Sequence, residues 1–255
     1  MNRCRLCGVE ASLVKSHIIP EAFFRELRSD GAAPLLVPGR EGELPRRAPI
    51  GVYDPTMLCG SCEAKFGPID SYGATVLLTQ FDRHFVPLQQ QERTVAFEGV
   101  DIDTERLLRF LVSVLWRASV SSRRFYDTVN LGPHEQIAKA CMLDHPIPGV
   151  FNAVLSRWDD SEDGSHPTTG LMNPIRERWG DVNAYRLYLG RVVAYVKVDK
   201  REFAEPISSL SLQAGPPCRI VNRRLSRSKD LQAMKKTIFA AERNRRQLRR
   251  RYGST

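Results

Sequence analysis

No segment of these 255 residues stays apolar over the roughly 18–20 positions that a helix needs to cross a bilayer, so no membrane span is expected. Internal repeats are missing, as is any long low-complexity tract, which argues against a solenoid or a disordered linker protein. Cysteine is scarce. Of the six present, four fall in two Cys-x-x-Cys pairs, a spacing that favours metal over disulfides in a reducing compartment. Met1-Asn2-Arg3 leads straight into the first pair, so we expect no signal peptide and a cytoplasmic location. What is there is an ordinary soluble composition, 42% hydrophobic, in a chain long enough for one large domain or two modest ones.

The net charge of +9 is unevenly spread. From Ser226 to Thr255, ten Lys or Arg face only Asp230 and Glu242, a net of +8, which leaves about +1 for residues 1–225. A polyanionic partner such as nucleic acid is the reading this favours; a solvated helix face serving solubility is the plainer one. The candidate contacts are Lys235, Lys236, Arg243, Arg245, Arg246, Arg249, Arg250 and Arg251. At 100° per residue Arg243, Arg246 and Arg250 share one stripe, Arg245 and Arg249 another, while Leu231, Met234, Ile238 and Ala241 face one way.

The pattern along the chain predicts an α+β fold. Pro20 to Leu27 reads as a short helix with proline near its start. A helix from Cys62 towards Leu78 should kink or divide at Pro68. Ser29–Ile50, rich in Gly and Pro, reads as a long surface loop, and Ser161–Asn173 as a polar one. Residues 103–127 carry the strongest helical stripe, capped by Asp103, and Pro133–Met142 a further helix. Strands are expected at Val150–Trp158, Tyr185–Leu189 and Arg191–Val198, the last two joined at Gly190, with a short one at Ile220-Val221. Ser228–Tyr252 is a long basic helix. The expected organisation is 1–80, a zinc domain; 81–225, an α+β region; and 226–255, the basic helix.

Cys4-Arg-Leu-Cys7-Gly8 and Cys59-Gly-Ser-Cys62 carry the chemistry. Two-residue spacing lets both sulfurs of a knuckle address one ion at about 2.3 Å, and two knuckles complete a tetrahedron. Four thiolates leave no open position, so this Zn²⁺ is expected to be structural. Cys141 and Cys218 stand alone and read as isolated thiols.

Between the knuckles lies Lys15-Ser16-His17-Ile18-Ile19-Pro20, and Leu58 precedes the second knuckle while Glu63 follows it. This order resembles the HNH (ββα-metal) nucleases in their zinc-stapled, treble-clef form over residues 1–70. It is also similar, to about residue 120, to a group of bacterial HNH-like proteins with an S-H-I-I-P stretch and a helix like Phe110-Leu-Val-Ser-Val-Leu-Trp-Arg-Ala-Ser119. The resemblance implies a metal-dependent endonuclease, with a place in a bacterial defence system in view. His17 would be the base, Asp54 would orient it or support its loop, and Ser16 and Glu63 would be ligands of a catalytic Mg²⁺ or Mn²⁺. Ser16 departs from the family's Asp or His, Asp54 from its Asn, and Glu63 from its His or Asn. These departures keep a second reading open, a catalytically degenerate zinc module that binds nucleic acid or a partner protein.

Overall fold

The structure, a computed structural model, describes residues 2–27, 33–38, 43–159 and 170–252. In chain order, β1 (Asn2–Arg3) and β2 (Glu10–Ala11) pair antiparallel across the first Cys-x-x-Cys turn. Next come β3 (Leu13–His17), α1 (Glu21–Glu26), and the short strands β4 (Leu35–Val37) and β5 (Arg46–Arg47). β6 (Tyr53–Cys59) lies antiparallel to β3 and runs directly into α2 (Gly60–Ala74). Strand, strand and helix thus place both knuckles and His17 in one compact unit.

The second part is built on a sheet. α3 (Phe81–His84), β7 (Val86–Gln90) and β8 (Arg93–Gly99) lead into α4 (Thr104–Val120) and α5 (Glu135–Cys141). Then follow β9 (Phe151–Asp159), β10 (Gly170–Met172), β11 (Ile175–Trp179), β12 (Val182–Leu189), β13 (Val192–Val198), β14 (Cys218–Arg224) and α6 (Lys229–Tyr252). Seven strands form one sheet in the order β11-β12-β13-β9-β14-β8-β7, antiparallel throughout except where β14 lies parallel to β9. The fold class is therefore α+β, as the sequence predicts.

α4 is the packing centre. Asp103 accepts the Arg106 amide at 2.9 Å and caps it, and its apolar stripe is fully buried. Phe66 of α2 stacks on Trp116 with ring centroids 6.1 Å apart, and Phe23 of α1 on Phe110 at 5.8 Å. A Cβ at Gly73 would lie 2.5 Å from the Phe110 ring, so glycine is what lets α2 approach α4 this closely. One buried apolar cluster extends from Cys4 to Met234, joining the cysteine unit, α4, the sheet and the start of α6.

Several expectations are corrected. Of the two outcomes expected at Pro68, a kink or a division, the division does not occur: α2 runs through Pro68 to Ala74 and then widens into a π-turn at Thr75–Thr79. The carbonyl that proline leaves without its helical partner belongs to Ala64, which is exposed and can use water instead. The stripe predicted over 103–127 ends as helix at Val120, where Ser121 turns extended. Ser29–Ile50 is not only a loop: β4 and β5 pair within it, and β4 also lies parallel to β10. Residues 161–169 of the second expected loop lie outside the described residues, whereas Gly170–Met172 is strand. β7, β8 and β11 were not foreseen.

Candidate metal centre and its surroundings

The first knuckle is a tight turn. The Gly8 amide donates to the Cys4 carbonyl and the Cys4 amide to the Val9 carbonyl, both at 2.9 Å, and Gly8 takes φ +75°, a value that favours glycine. Arg5 N–H donates to the Met57 carbonyl at 2.9 Å, which fastens this turn to β6. Cys59 ends β6 and Cys62 lies in the first turn of α2, so the helix start aims both sulfurs at the first knuckle. The four Sγ atoms all lie within 4.8 Å of one another. Cys7 Sγ and Cys59 Sγ are 3.9 Å apart, close to the edge of a sulfur tetrahedron around an ion at about 2.3 Å. The Cys59 amide points at Cys4 Sγ (3.4 Å), and the Ser61 hydroxyl, 3.3 Å from Cys59 Sγ, helps hold that thiol down to about 6, towards the thiolate that binds metal. The donor set and spacing fit an ion such as zinc.

His17, Asp54, Glu63 and Ser16 do not converge as one set. Among the described residues the four cysteines are the one group of three or more His, Cys, Asp or Glu side chains close enough to share an ion. His17 ends β3, half-buried, with Nε2 2.9 Å from the Ile50 carbonyl. A carbonyl only accepts, so Nε2 carries the proton and Nδ1 is the basic nitrogen of the neutral ring. Ser16 is fully buried, its hydroxyl 3.4 Å from the Val14 carbonyl. Glu63 is half-buried in the first turn of α2, and its Oε2 is buried without a hydrogen-bond partner.

Asp54 is engaged elsewhere. Its Oδ1 accepts from the Thr56 amide (2.8 Å) and hydroxyl (2.6 Å); its Oδ2 accepts from the Ser121 hydroxyl (2.9 Å) and from the Ser122 amide (2.6 Å) and hydroxyl (3.0 Å). Burial works to raise its pKa, but these five donors prevail and hold it down at about 2. Asp54 therefore clamps β6 to the end of α4, and the imidazole is oriented by the Ile50 carbonyl.

The residue that sequence reasoning passed over is Arg117. It is completely buried on α4, and all five of its N–H groups are used. Nη1 donates to the His17 carbonyl (2.9 Å) and Asp70 Oδ2 (2.8 Å); Nη2 donates to Asp70 Oδ1 (2.6 Å) and the Ser113 hydroxyl (3.1 Å); Nε donates to the Ser113 carbonyl (3.3 Å). The guanidinium also lies over the Phe66 ring at 4.8 Å. α4, α2 and the backbone of His17 are thus tied through one cation. Removing either partner of such a pair costs about 3–5 kcal/mol. The signal available was a single Arg in an otherwise apolar stripe, four residues after Ser113.

On α6, Met234, Ala240 and Ala241 are buried, with Leu231 and Ile238 packed beside them. The Ser228 hydroxyl accepts the Leu231 amide at 3.1 Å and caps the helix. Lys235, Lys236, Arg243, Arg245 and Arg246 are exposed on the far side. The side chains of Arg249, Arg250 and Arg251 lie outside the described residues, though their backbone belongs to α6. No helix among the described residues is long and apolar enough to cross a membrane. The chain matches no protein-family model, no curated protein and no solved structure.

Proposed function

We propose that this chain is a metal-dependent endonuclease of the HNH type, hydrolysing phosphodiester bonds in nucleic acid, with DNA favoured over RNA. In this reading residues 1–80 carry the cut, and the downstream region with its basic helix supplies affinity. The observation that carries it is the state of His17. In the neutral ring its Nε2–H is given to the Ile50 carbonyl and Nδ1 is the nitrogen left to act as a base, on a strand fastened to the cysteine-anchored helix that bears Glu63. Nδ1 would take a proton from water as the oxygen attacks phosphorus, and the bond from phosphorus to the leaving oxygen would break. A hydrated Mg²⁺ or Mn²⁺ is commonly held by one or two carboxylates plus substrate phosphate oxygens; Glu63, with one oxygen unpartnered, is the charged donor here. Such an ion supplies neutralisation of the charge that builds on phosphate and leaving oxygen.

The second reading, a degenerate zinc module that binds nucleic acid or a partner protein, draws on the sealed hydroxyl of Ser16 and the consumed carboxylate of Asp54. A cleavage assay separates the two. Supercoiled DNA and single-stranded RNA are incubated with the protein in Mg²⁺, Mn²⁺ or EDTA. We expect metal-dependent cutting that His17→Ala lowers by about 10²–10⁴-fold, with metal content at the cysteines unchanged. Equal rates for the two proteins would remove His17 from the chemistry, and no cutting of any substrate would favour the binding module.

A further inference from the structure

α6 is divided lengthwise between core and solvent. Its apolar stripe is spent on the body of the protein, where Met234, Thr237, Ala240 and Ala241 are buried and Leu231 and Ile238 pack beside them. On the outward side one residue breaks the charged pattern. Of the eleven phenylalanines in the chain, ten are buried or half-buried, and Phe239 alone is exposed, at 66%. At 100° per residue it shares a stripe about 80° wide and about 16 Å long with Lys235, Arg243 and Arg246.

The charge around Phe239 is not consumed by the protein itself. Lys236 and Arg243 have contacts of their own. Even without those two, Lys235, Arg245 and Arg246 are exposed and make no ion pair among the described residues. They face one outward acid, Glu242, which leaves a net of +2.

The combination selects among partners. A membrane surface asks for a whole apolar stripe, and the one α6 owns is already covered. The centre of a protein interface is poor in charge, whereas Phe239 lies among cations. A nucleic-acid strand uses both parts: its phosphates meet the cations, and an unpaired base offers a flat face to the ring. In a duplex the base faces are stacked on one another and closed to the ring.

We infer that the outward face of α6 binds single-stranded nucleic acid, with a base stacked on Phe239 and phosphates against Lys235 and Arg246. The inference rests on that part of the proposed function in which α6 supplies affinity, and not on the cut at His17. It adds the strand state that α6 prefers and the residue that sets the preference.

The full chain is titrated against a labelled oligothymidylate of about 12 nucleotides, within the roughly 4–16 that such strand-binding surfaces cover, and followed by fluorescence anisotropy with no divalent metal added. A duplex and a strand of abasic units, both of the same length, are titrated beside it. Phe239→Ala should weaken the thymidine strand by about tenfold and leave the duplex within about twofold, while Phe239→Trp keeps the strand bound. On the abasic strand wild type and Phe239→Ala should bind alike. Lys235→Gln combined with Arg246→Gln should weaken strand and duplex together and flatten the salt slope on the strand by about one to two. Phe239 is exposed, so its loss should leave the thermal midpoint unchanged. Equal binding of the thymidine strand by wild type and Phe239→Ala would overturn the inference, and so would an equal loss on the duplex or the abasic strand. Phosphatidylserine vesicles bound through Phe239, with strand binding indifferent to it, would assign the face to a membrane instead. A Phe239-dependent strand complex in a protein whose cutting does not need His17 would keep this inference and remove the nuclease reading. A chain that cuts through His17 but binds strands without Phe239 would do the reverse.

Discussion

Asp54 lies in β6 opposite Ser16, one residue past the Tyr53 that pairs with His17, yet its chemistry is directed away from the imidazole, towards Thr56, Ser121 and Ser122. Its folded-state value of about 2 lies below the ordinary 3.8. Its contribution is therefore complete above about pH 4 and fades as pH falls towards 2, and the shift corresponds to about 2 kcal/mol. Asp54→Asn should lower unfolding free energy at pH 7 by about 2–3 kcal/mol, since an amide presents a donor where the Ser122 amide also donates. Urea midpoints of wild type and variant should converge between pH 4 and pH 2. A gap that does not narrow would mean that the carboxylate charge is not what holds this junction. Asp54 and Arg117 also mark the limit of what the sequence discloses. The four cysteines are legible because their meaning sits in local spacing. Of the partners of Asp54, Ser121 and Ser122 lie 67 and 68 positions away, and the His17 carbonyl lies 100 positions from Arg117, so nothing local announces these contacts.

At the scale of elements the same division holds. α4, β9, β12, β13 and α6 were readable because a stripe at helical period, or a short run rich in apolar, aromatic and β-branched residues, records burial. The hairpin of β7 and β8 was not. Its turn uses Gln91 and Glu92 at φ 48° and 60°, where the expected signal is Asn or Gly, and β7 is exposed along its whole length with Pro87 inside. The cysteine unit is the element most exposed to a single chemical loss. Metal binding in such sites supplies about 10–16 kcal/mol, as much as the whole stability of an ordinary domain. Replacing Cys59 and Cys62 by Ser should take bound zinc from about one ion per chain to near zero by elemental analysis. Because Cys4, Cys59 and Cys62 belong to the same buried cluster as α4 and the sheet, the thermal midpoint of the whole chain should fall with it. Zinc retained in the double variant would show that the ion is held elsewhere, and none in the native protein would remove the centre.

At the scale of the whole molecule, charge and packing divide α6 between them. Its first half belongs to the core: Asp230 is buried against Arg186, Arg223 and Tyr188, and Met234, Ala240 and Ala241 are covered. Its second half carries the Arg-rich run that gives the chain most of its net charge. Among the described residues a cut before Arg243 removes no buried side chain, and the thermal midpoint should stay where it is. Each phosphate neutralised on duplex DNA contributes about −0.9 to the slope of log K against log salt. Deleting residues 243–255 should weaken DNA binding and make that slope shallower by about two to four. Backbone phosphates carry no sequence information, so two unrelated duplexes should lose affinity alike. Binding of the full and shortened chains is measured on both duplexes across a series of salt concentrations. A slope unchanged by truncation would mean that the arginines do not meet phosphate, and their charge would then serve a protein partner or solubility.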